Sequence, residues 1–299
     1  MTDLDLADAF LRQLATVRRL SDHTVAAYRR DLRAFCDFMA REQLDGARSV
    51  DAYHVRQFAA ESYRRGLSPR SISRRLSAVR SFFAHLVHEG VLQANVAVNV
   101  QAPKPSRRLP AALDADQVSR LLERSGDDAM IVRDRAMFEL MYSSGLRLAE
   151  LVGLDLGDID LGDRTVRVTG KGAKMRILPI GAQAIDALRQ WLLVRRQMSG
   201  ALEQALFVSR RGNRLAPRSV QDRLGRWGQQ QGLPVRVHPH MLRHSFASHM
   251  LESSGNLRAV QELLGHSSIS TTQIYTHLDF QHLAHVYDQS HPRARRREP

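Results

Sequence analysis

Pro103, Pro105 and Pro110 fall within one short stretch of the chain. Proline fixes φ and lacks a backbone N–H, so neither a helix nor a central strand can run through all three. Gln93 to Pro110, which also contains Lys104, Arg107 and Arg108, therefore reads as a basic linker between two separately folded parts, residues 1–92 and 111–299. A length of 299 residues suits two domains of ordinary size.

The first part is predicted to be helical. In Thr24 to Met39 the residues Val25, Tyr28, Leu32, Phe35 and Phe38 recur at steps of three or four, the period of one helical face. Val50 to Tyr63 places Val55, Phe58 and Ala59 on a common side before Gly66 interrupts the pattern. A third helix starts at Ser68-Pro69, a helix-start pair, and ends near Gly90, with Ile72, Leu76, Val79, Phe83 and Leu86 as its buried stripe. Arg64, Arg65, Arg70, Arg74, Arg75 and Arg80 crowd this region with no acid among them. We read them as a face laid against DNA, the alternative being a solvated surface.

The second part is mixed. Asp114 and Gln117 have the spacing of a capping box ahead of Val118, Leu121 and Leu122, and a helix should cover roughly Val132 to Tyr142. Thr165 to Thr169 and Met175 to Leu178 are β-prone runs flanking Gly170-Lys171-Gly172, a hairpin signal. Further helices are predicted over His240 to Leu251 and Leu257 to Leu264. The expected fold is thus mainly α with a small β-hairpin in the second domain.

Composition bears on partners and surroundings. There are 18 basic and 11 acidic residues up to Pro110, and 26 and 20 beyond it, so both parts suit a polyanion, nucleic acid first and an anionic membrane surface second. Three of the basic residues are lysines, Lys104, Lys171 and Lys174, and 41 are arginines. Arginine's donor fork matches phosphate oxygens, although genome composition inflates arginine equally well. Cys36 is the single cysteine, which forbids an internal disulfide and fits a reducing compartment. Met1 to Phe10 carries three aspartates and resembles no signal peptide. No apolar run approaches the length of a membrane span. A cytoplasmic protein without membrane attachment is expected.

Several residues can carry chemistry. His240 and Arg243 are three apart in His240-Met241-Leu242-Arg243-His244, hence on one face of a helix beginning near His240, whose N-terminal amides would also favour an anion. His240 and His244 as a metal pair is the weaker alternative, for no glutamate lies between them and no third ligand is indicated. Arg147 follows the turn residue Gly145, and Glu150 is its natural structural partner. Lys171 stands at the hairpin tip between glycines, with Lys174 as its competitor for a catalytic role. Tyr275 is a poor nucleophile unassisted, since a phenol's ordinary pKa is about 10. His238, His244 and His249 read as surface or structural histidines.

Together these pieces resemble the tyrosine recombinase family: Gly145-Leu146-Arg147, Thr169-Gly170-Lys171-Gly172, His240-Met241-Leu242-Arg243-His244, Leu264-Gly265-His266 and Tyr275 stand in the family's order and spacing. The resemblance extends over nearly the whole chain. Within the family, runs such as Ser143-Ser144-Gly145-Leu146-Arg147 and Gln261-Glu262-Leu263-Leu264-Gly265-His266 are most similar to the bacterial members that resolve chromosome dimers.

The resemblance implies a two-domain DNA clamp of the tyrosine recombinase type. A helical, SAM-like core-binding domain would occupy 1–92, a linker 93–110 and the catalytic domain 111–299, with Phe280 to His291 docking on a neighbouring protomer or, as the alternative, on its own domain. It implies Tyr275 as nucleophile, Arg147 and Arg243 as the phosphate clamp, His240 and His266 as further donors and Lys171 as general acid. No cofactor or metal is implied. The implied partners are double-stranded DNA at a specific recombination site, a related partner recombinase in a heterotetramer and a division-associated DNA translocase. Lys104, Arg107 and Arg108 join the six N-terminal arginines as DNA-contact candidates. A phage-type integrase, a type IB topoisomerase-like enzyme and a non-catalytic DNA-binding scaffold are the alternatives.

Overall fold

The phenylalanines of the first 90 positions meet in one cluster. The computed structural model describes residues 3–16, 22–103, 112–124, 126–170, 175–200, 202–265 and 286–294. The chain divides into two units, Met1–Arg108 and Leu109–Pro299, each with its own apolar core.

The first unit contains α1 (Asp3–Thr16), α2 (Asp22–Arg41), α3 (Ala52–Arg64) and α4 (Pro69–His88). Phe35 on α2 packs edge-on against Phe58 of α3 and Phe83 of α4, with centroids 5.1 and 6.0 Å away. Local chemistry sets the helix starts. Asp51 accepts from the His54 amide at 2.9 Å while the His54 ring accepts from the Asp51 amide. Ser68 accepts from the Ser71 amide, and Pro69 fills a first-turn position whose amide would lack a partner in any case.

Three of the arginines on the expected DNA face also bond within the unit. Arg74 donates to both oxygens of buried Asp31 on α2, at 2.8 and 3.1 Å. Arg75 donates to Ser62 at 2.9 Å and lies over the Phe58 ring. Arg80 donates to the Ala97 and Val100 carbonyls, fixing the segment after α4. The stretch holds no acid of its own, but α2 supplies one.

The second unit runs α5 (Ala115–Leu122), α6 (Ala129–Ser143), α7 (Leu148–Gly153), β1 (Ile159–Asp160), β2 (Thr165–Thr169), β3 (Met175–Pro179), α8 (Ala182–Met198), α9 (Pro217–Gln230), α10 (Pro239–Ser254) and α11 (Leu257–Leu264). The Asp114–Gln117 capping box forms. Helix α6 is buried on every side, with Met137, Phe138, Leu140, Met141 and Tyr142 inaccessible, so it is the axis of this core. The sheet is antiparallel in the order β1-β2-β3, and Thr169 faces Met175 at the open end of the β2–β3 pair. The sequence predicted only the two longer strands; β1 has two residues, too few for an alternation to show.

Of the segment Phe280 to His291, expected to dock on a neighbouring protomer or on its own domain, residues 286–291 lie within the described residues. Its Tyr287 and His291 are buried in the second unit of this chain. The Tyr287 hydroxyl bonds that of Ser143 at 2.7 Å. Just beyond, Arg293 forms a bidentate ion pair with buried Glu139, and Ala294 accepts from the Ala182 amide. His291 stacks on Tyr287 with a centroid distance of 4.8 Å and accepts from the Arg293 amide at 3.1 Å.

Burial, reinforced by the charge on Arg293, pushes the His291 pKa down to about 3. The unfolded chain binds that proton near pH 6.5. His291 is thus neutral in the fold, and its full contribution to stability is present above pH 6.5 and is lost as pH falls toward 3, at up to about 1.4 kcal/mol per pH unit. Denaturant titrations at pH 7 and 5 should show the parent chain losing about 2 kcal/mol more than His291→Asn over this interval. Equal losses would contradict a buried neutral imidazole.

Candidate active site

The Ser143-Ser144-Gly145-Leu146-Arg147 run is a junction between elements. The Ser143 hydroxyl accepts from the Gly181 amide at 2.7 Å, and the Ser144 hydroxyl donates to the Pro179 carbonyl at 2.8 Å. These bonds tie the end of α6 to the end of β3 and the start of α8. Gly145 then turns the chain with φ +58°, and a Cβ there would lie 2.4 Å from the Phe246 ring of α10. Only glycine allows this backbone conformation and this approach together. The turn delivers Arg147 to the N-cap of α7.

Glu150, one turn into α7, is the centre of the cluster. It accepts from the Arg147 amide at 2.8 Å and from Arg147 Nη1 at 2.9 Å. Arg176 of β3 donates from both terminal nitrogens to its two oxygens, at 2.9 and 3.0 Å. Arg243 of α10 approaches to 4.0 Å and donates to the Gly145 carbonyl at 2.5 Å and to the Leu264 carbonyl. Arg147 Nη2 donates to the Gly265 carbonyl at 3.3 Å. Both arginines therefore hold the end of α11, directly before His266.

Burial favours a neutral Glu150 carboxyl, but hydrogen bonds from Arg176 and from the Arg147 backbone and side chain outweigh it and hold the carboxyl below the usual carboxylate range. Burial, then the neighbouring Arg147 charge, lowers Arg243 to about 10, still cationic at neutral pH. Three guanidiniums around one carboxylate leave two positive charges in excess. Arg147 is 38% exposed while Glu150 is 3% exposed, so the excess is presented outward. This arrangement suits a bound anion with charged oxygens, above all a phosphate diester.

His240 is exposed in the first turn of α10, three residues before Arg243 and so on the same face. His238 caps that helix by accepting from the Met241 amide at 3.2 Å. The His249 ring bonds the Tyr142 hydroxyl at 2.8 Å. Among the described residues no three His, Cys, Asp or Glu side chains group as metal ligands, and no helix is long and apolar enough to cross a membrane. Lys171, Lys174, His266, Tyr275, Lys104, Arg107 and Arg108 lie outside the described residues. In the first unit Arg64, Arg65 and Arg70 are exposed, with Arg65 paired to Glu61.

The sequence reading missed Arg176. Along β3 it is Arg176 and Leu178 that are buried, while Met175 and Ile177 are 67% and 52% exposed. Alternation by hydrophobicity puts the wrong face inside. The signal that could have found Arg176 was Glu150, an acid in an arginine-rich region that needs a partner once buried.

The Phage integrase family pattern matches residues 111–282, and that of its N-terminal SAM-like domain matches 7–90. Tyrosine recombinase XerC of Escherichia coli O157:H7 is 52% identical over 297 residues, covering 99% of both chains. The chain belongs to the phage integrase family of site-specific tyrosine recombinases. XerC of Haemophilus ducreyi is also 52% identical, over 97% of this chain and 95% of that protein. The recombinase fold recurs in XerH bound to a palindromic difH substrate (TM-score 0.71, 24% identity, 93% of this chain and 84% of that one). It recurs again in the Tn1549 transposon integrase with transposon right end DNA (TM-score 0.74, 18% identity, 94% and 98%).

Gly145→Ala should destabilise the second unit by about 2–4 kcal/mol, the sum of left-handed strain and overpacking against Phe246. Gly232→Ala, with φ +69° and open space around it, should cost only about 1–2 kcal/mol. Denaturant midpoints of the two variants check the difference, and equal losses would mean that the Phe246 contact yields freely.

Proposed function

We propose that this recombinase cleaves and rejoins DNA through a 3′-phosphotyrosyl intermediate at Tyr275. The observation that carries the reading is the convergence of Arg147 and Arg243 beside one buried carboxylate, with both side chains bonded to the segment that precedes His266. The Tyr275 oxygen attacks the scissile phosphorus, the bond to the 5′-oxygen breaks, and that oxygen leaves as a hydroxyl after taking a proton from Lys171. One phosphoester replaces another, so a 5′-hydroxyl from a partner strand reverses the step and joins a new strand without nucleotide hydrolysis. Arg147 and Arg243 hold the non-bridging oxygens, and His240 and His266 add donors, with His240 helping to take the Tyr275 proton. Each acts on charge that grows in the pentavalent transition state.

The protein's similarity to XerC supports a place in a tetramer on two duplexes, two copies of this chain with two of a related, XerD-like partner recombinase. Exchange would proceed one strand pair at a time at a specific site, resolving chromosome dimers in the cytoplasm at cell division, with a division-associated DNA translocase as activator. Arg64, Arg65 and Arg70 would contact the duplex from the first unit, and Lys104, Arg107 and Arg108 from the linker.

Tyr275→Phe should bind a nicked suicide duplex of the recombination site with unchanged affinity and form no covalent adduct on denaturing gels. An adduct of normal yield would remove Tyr275 from the mechanism. Lys171→Ala should cleave poorly on ordinary DNA and recover most of its rate on a 5′-bridging phosphorothiolate, whose leaving group needs little protonation. Absence of recovery would assign the acid elsewhere.

A further inference from the structure

Arg176 occupies an inward position on β3 that the strand's alternation would fill with an aliphatic residue, and its side chain is 9% exposed. Its fork takes both oxygens of Glu150. Were Arg147 the main partner of that carboxylate, its charge would be spent inside the protein. With Arg176 supplying the bidentate pair, Arg147 contributes one side-chain bond to Glu150 and keeps a second terminal nitrogen for Gly265.

Arg176 also packs beside Gly265. A Cβ built on that glycine would lie 3.2 Å from Arg176 Cζ, and Gly265 has φ +63°. The Gly265 carbonyl is itself an acceptor for Arg147. Arg176 thus touches both anchors of Arg147, the carboxylate on one side and the end of α11 on the other. A lysine could supply the charge but not the two parallel bonds or the flat group beside Gly265.

We infer that Arg176 is a positioning residue for strand cleavage, compensating Glu150 and bracing Gly265 so that Arg147 presents its guanidinium to the scissile phosphate. This rests on the reading of Arg147 as a phosphate ligand. Arg176 touches no DNA, so its loss acts on the chemical step and leaves binding alone.

The test measures duplex affinity and single-turnover cleavage of the nicked suicide duplex for the parent chain, Arg147→Ala, Arg176→Lys and Arg176→Met, with thermal unfolding as the control for folding. Both Arg176 variants should bind within about twofold of the parent and cleave about 10–100-fold more slowly, the range expected for a misplaced catalytic group. A 5′-bridging phosphorothiolate should not restore them, because proton donation is intact. If the methionine variant fails to fold, the lysine variant decides. The inference is overturned if a folded Arg176 variant cleaves within twofold of the parent, if binding falls in parallel with cleavage, or if the phosphorothiolate restores the rate. Normal cleavage by Arg147→Ala would instead overturn the reading of the site itself.

Discussion

The catalytic unit is organised around a charge that cannot be buried alone. Removing a carboxylate from water costs several kcal/mol even after relaxation, and the cost is offset only by close, well-aligned partners. Glu150 takes one partner from the N-cap of its own helix α7 and others from distant segments, strand β3 and, at longer range, helix α10. Satisfying one side chain therefore fixes the relative positions of three elements. The same network overshoots neutrality by two charges, and that excess is available for chemistry on a phosphate.

Preorganisation of this kind requires a frame that does not yield. The frame is α6, buried on all sides, and its last residue and C-cap do more than end a helix. Ser143 and Ser144 bond the start of α8 and the end of β3, so the turn at Gly145 is held at its base while Phe246 presses on it from α10. The carbonyls of Gly145, Leu264 and Gly265 then receive the arginines. Backbone oxygens hold the guanidiniums at a cost already met on folding, so little reorganisation remains for the moment of reaction. The C-terminal residues meet the same frame, since Ser143 also bonds Tyr287.

Much of this was legible in the sequence, because helix periodicity and caps are local. The stripes of α2, α3 and α4, the Ser68-Pro69 start and the Asp114–Gln117 box depend on neighbours within a turn or two, and they form where expected. Arg147, His240 and Arg243 could be singled out because their motif spacing survives as a string. What depends on partners distant in sequence was hidden. Arg176 looks like a solvent-facing residue between two aliphatics until Glu150, 26 positions earlier, is brought against it. Asp31 pairs with Arg74 across 43 positions, a tie between helices that no local pattern shows. The burial of Tyr287 has no local signal either, since its hydroxyl meets that of Ser143, 144 residues away.

These partners bear on how the large arginine excess should be read. Asp31, Asp134, Glu139 and Glu150 are buried carboxylates, and each takes two bonds from one arginine, namely Arg74, Arg133, Arg293 and Arg176. Lysine, a single point of charge on a flexible stem, cannot make that bidentate bond. Each such pair sums to zero, so the net excess of +13 resides in the remaining charged residues. Exposed arginines such as Arg29, Arg30, Arg33, Arg64 and Arg70 in the first unit and the partly exposed Arg147 in the second are available to a polyanion. On the proposed reading a duplex is held by many weak surface contacts, whereas the scissile phosphate meets a pocket whose excess charge was fixed when Glu150 was buried.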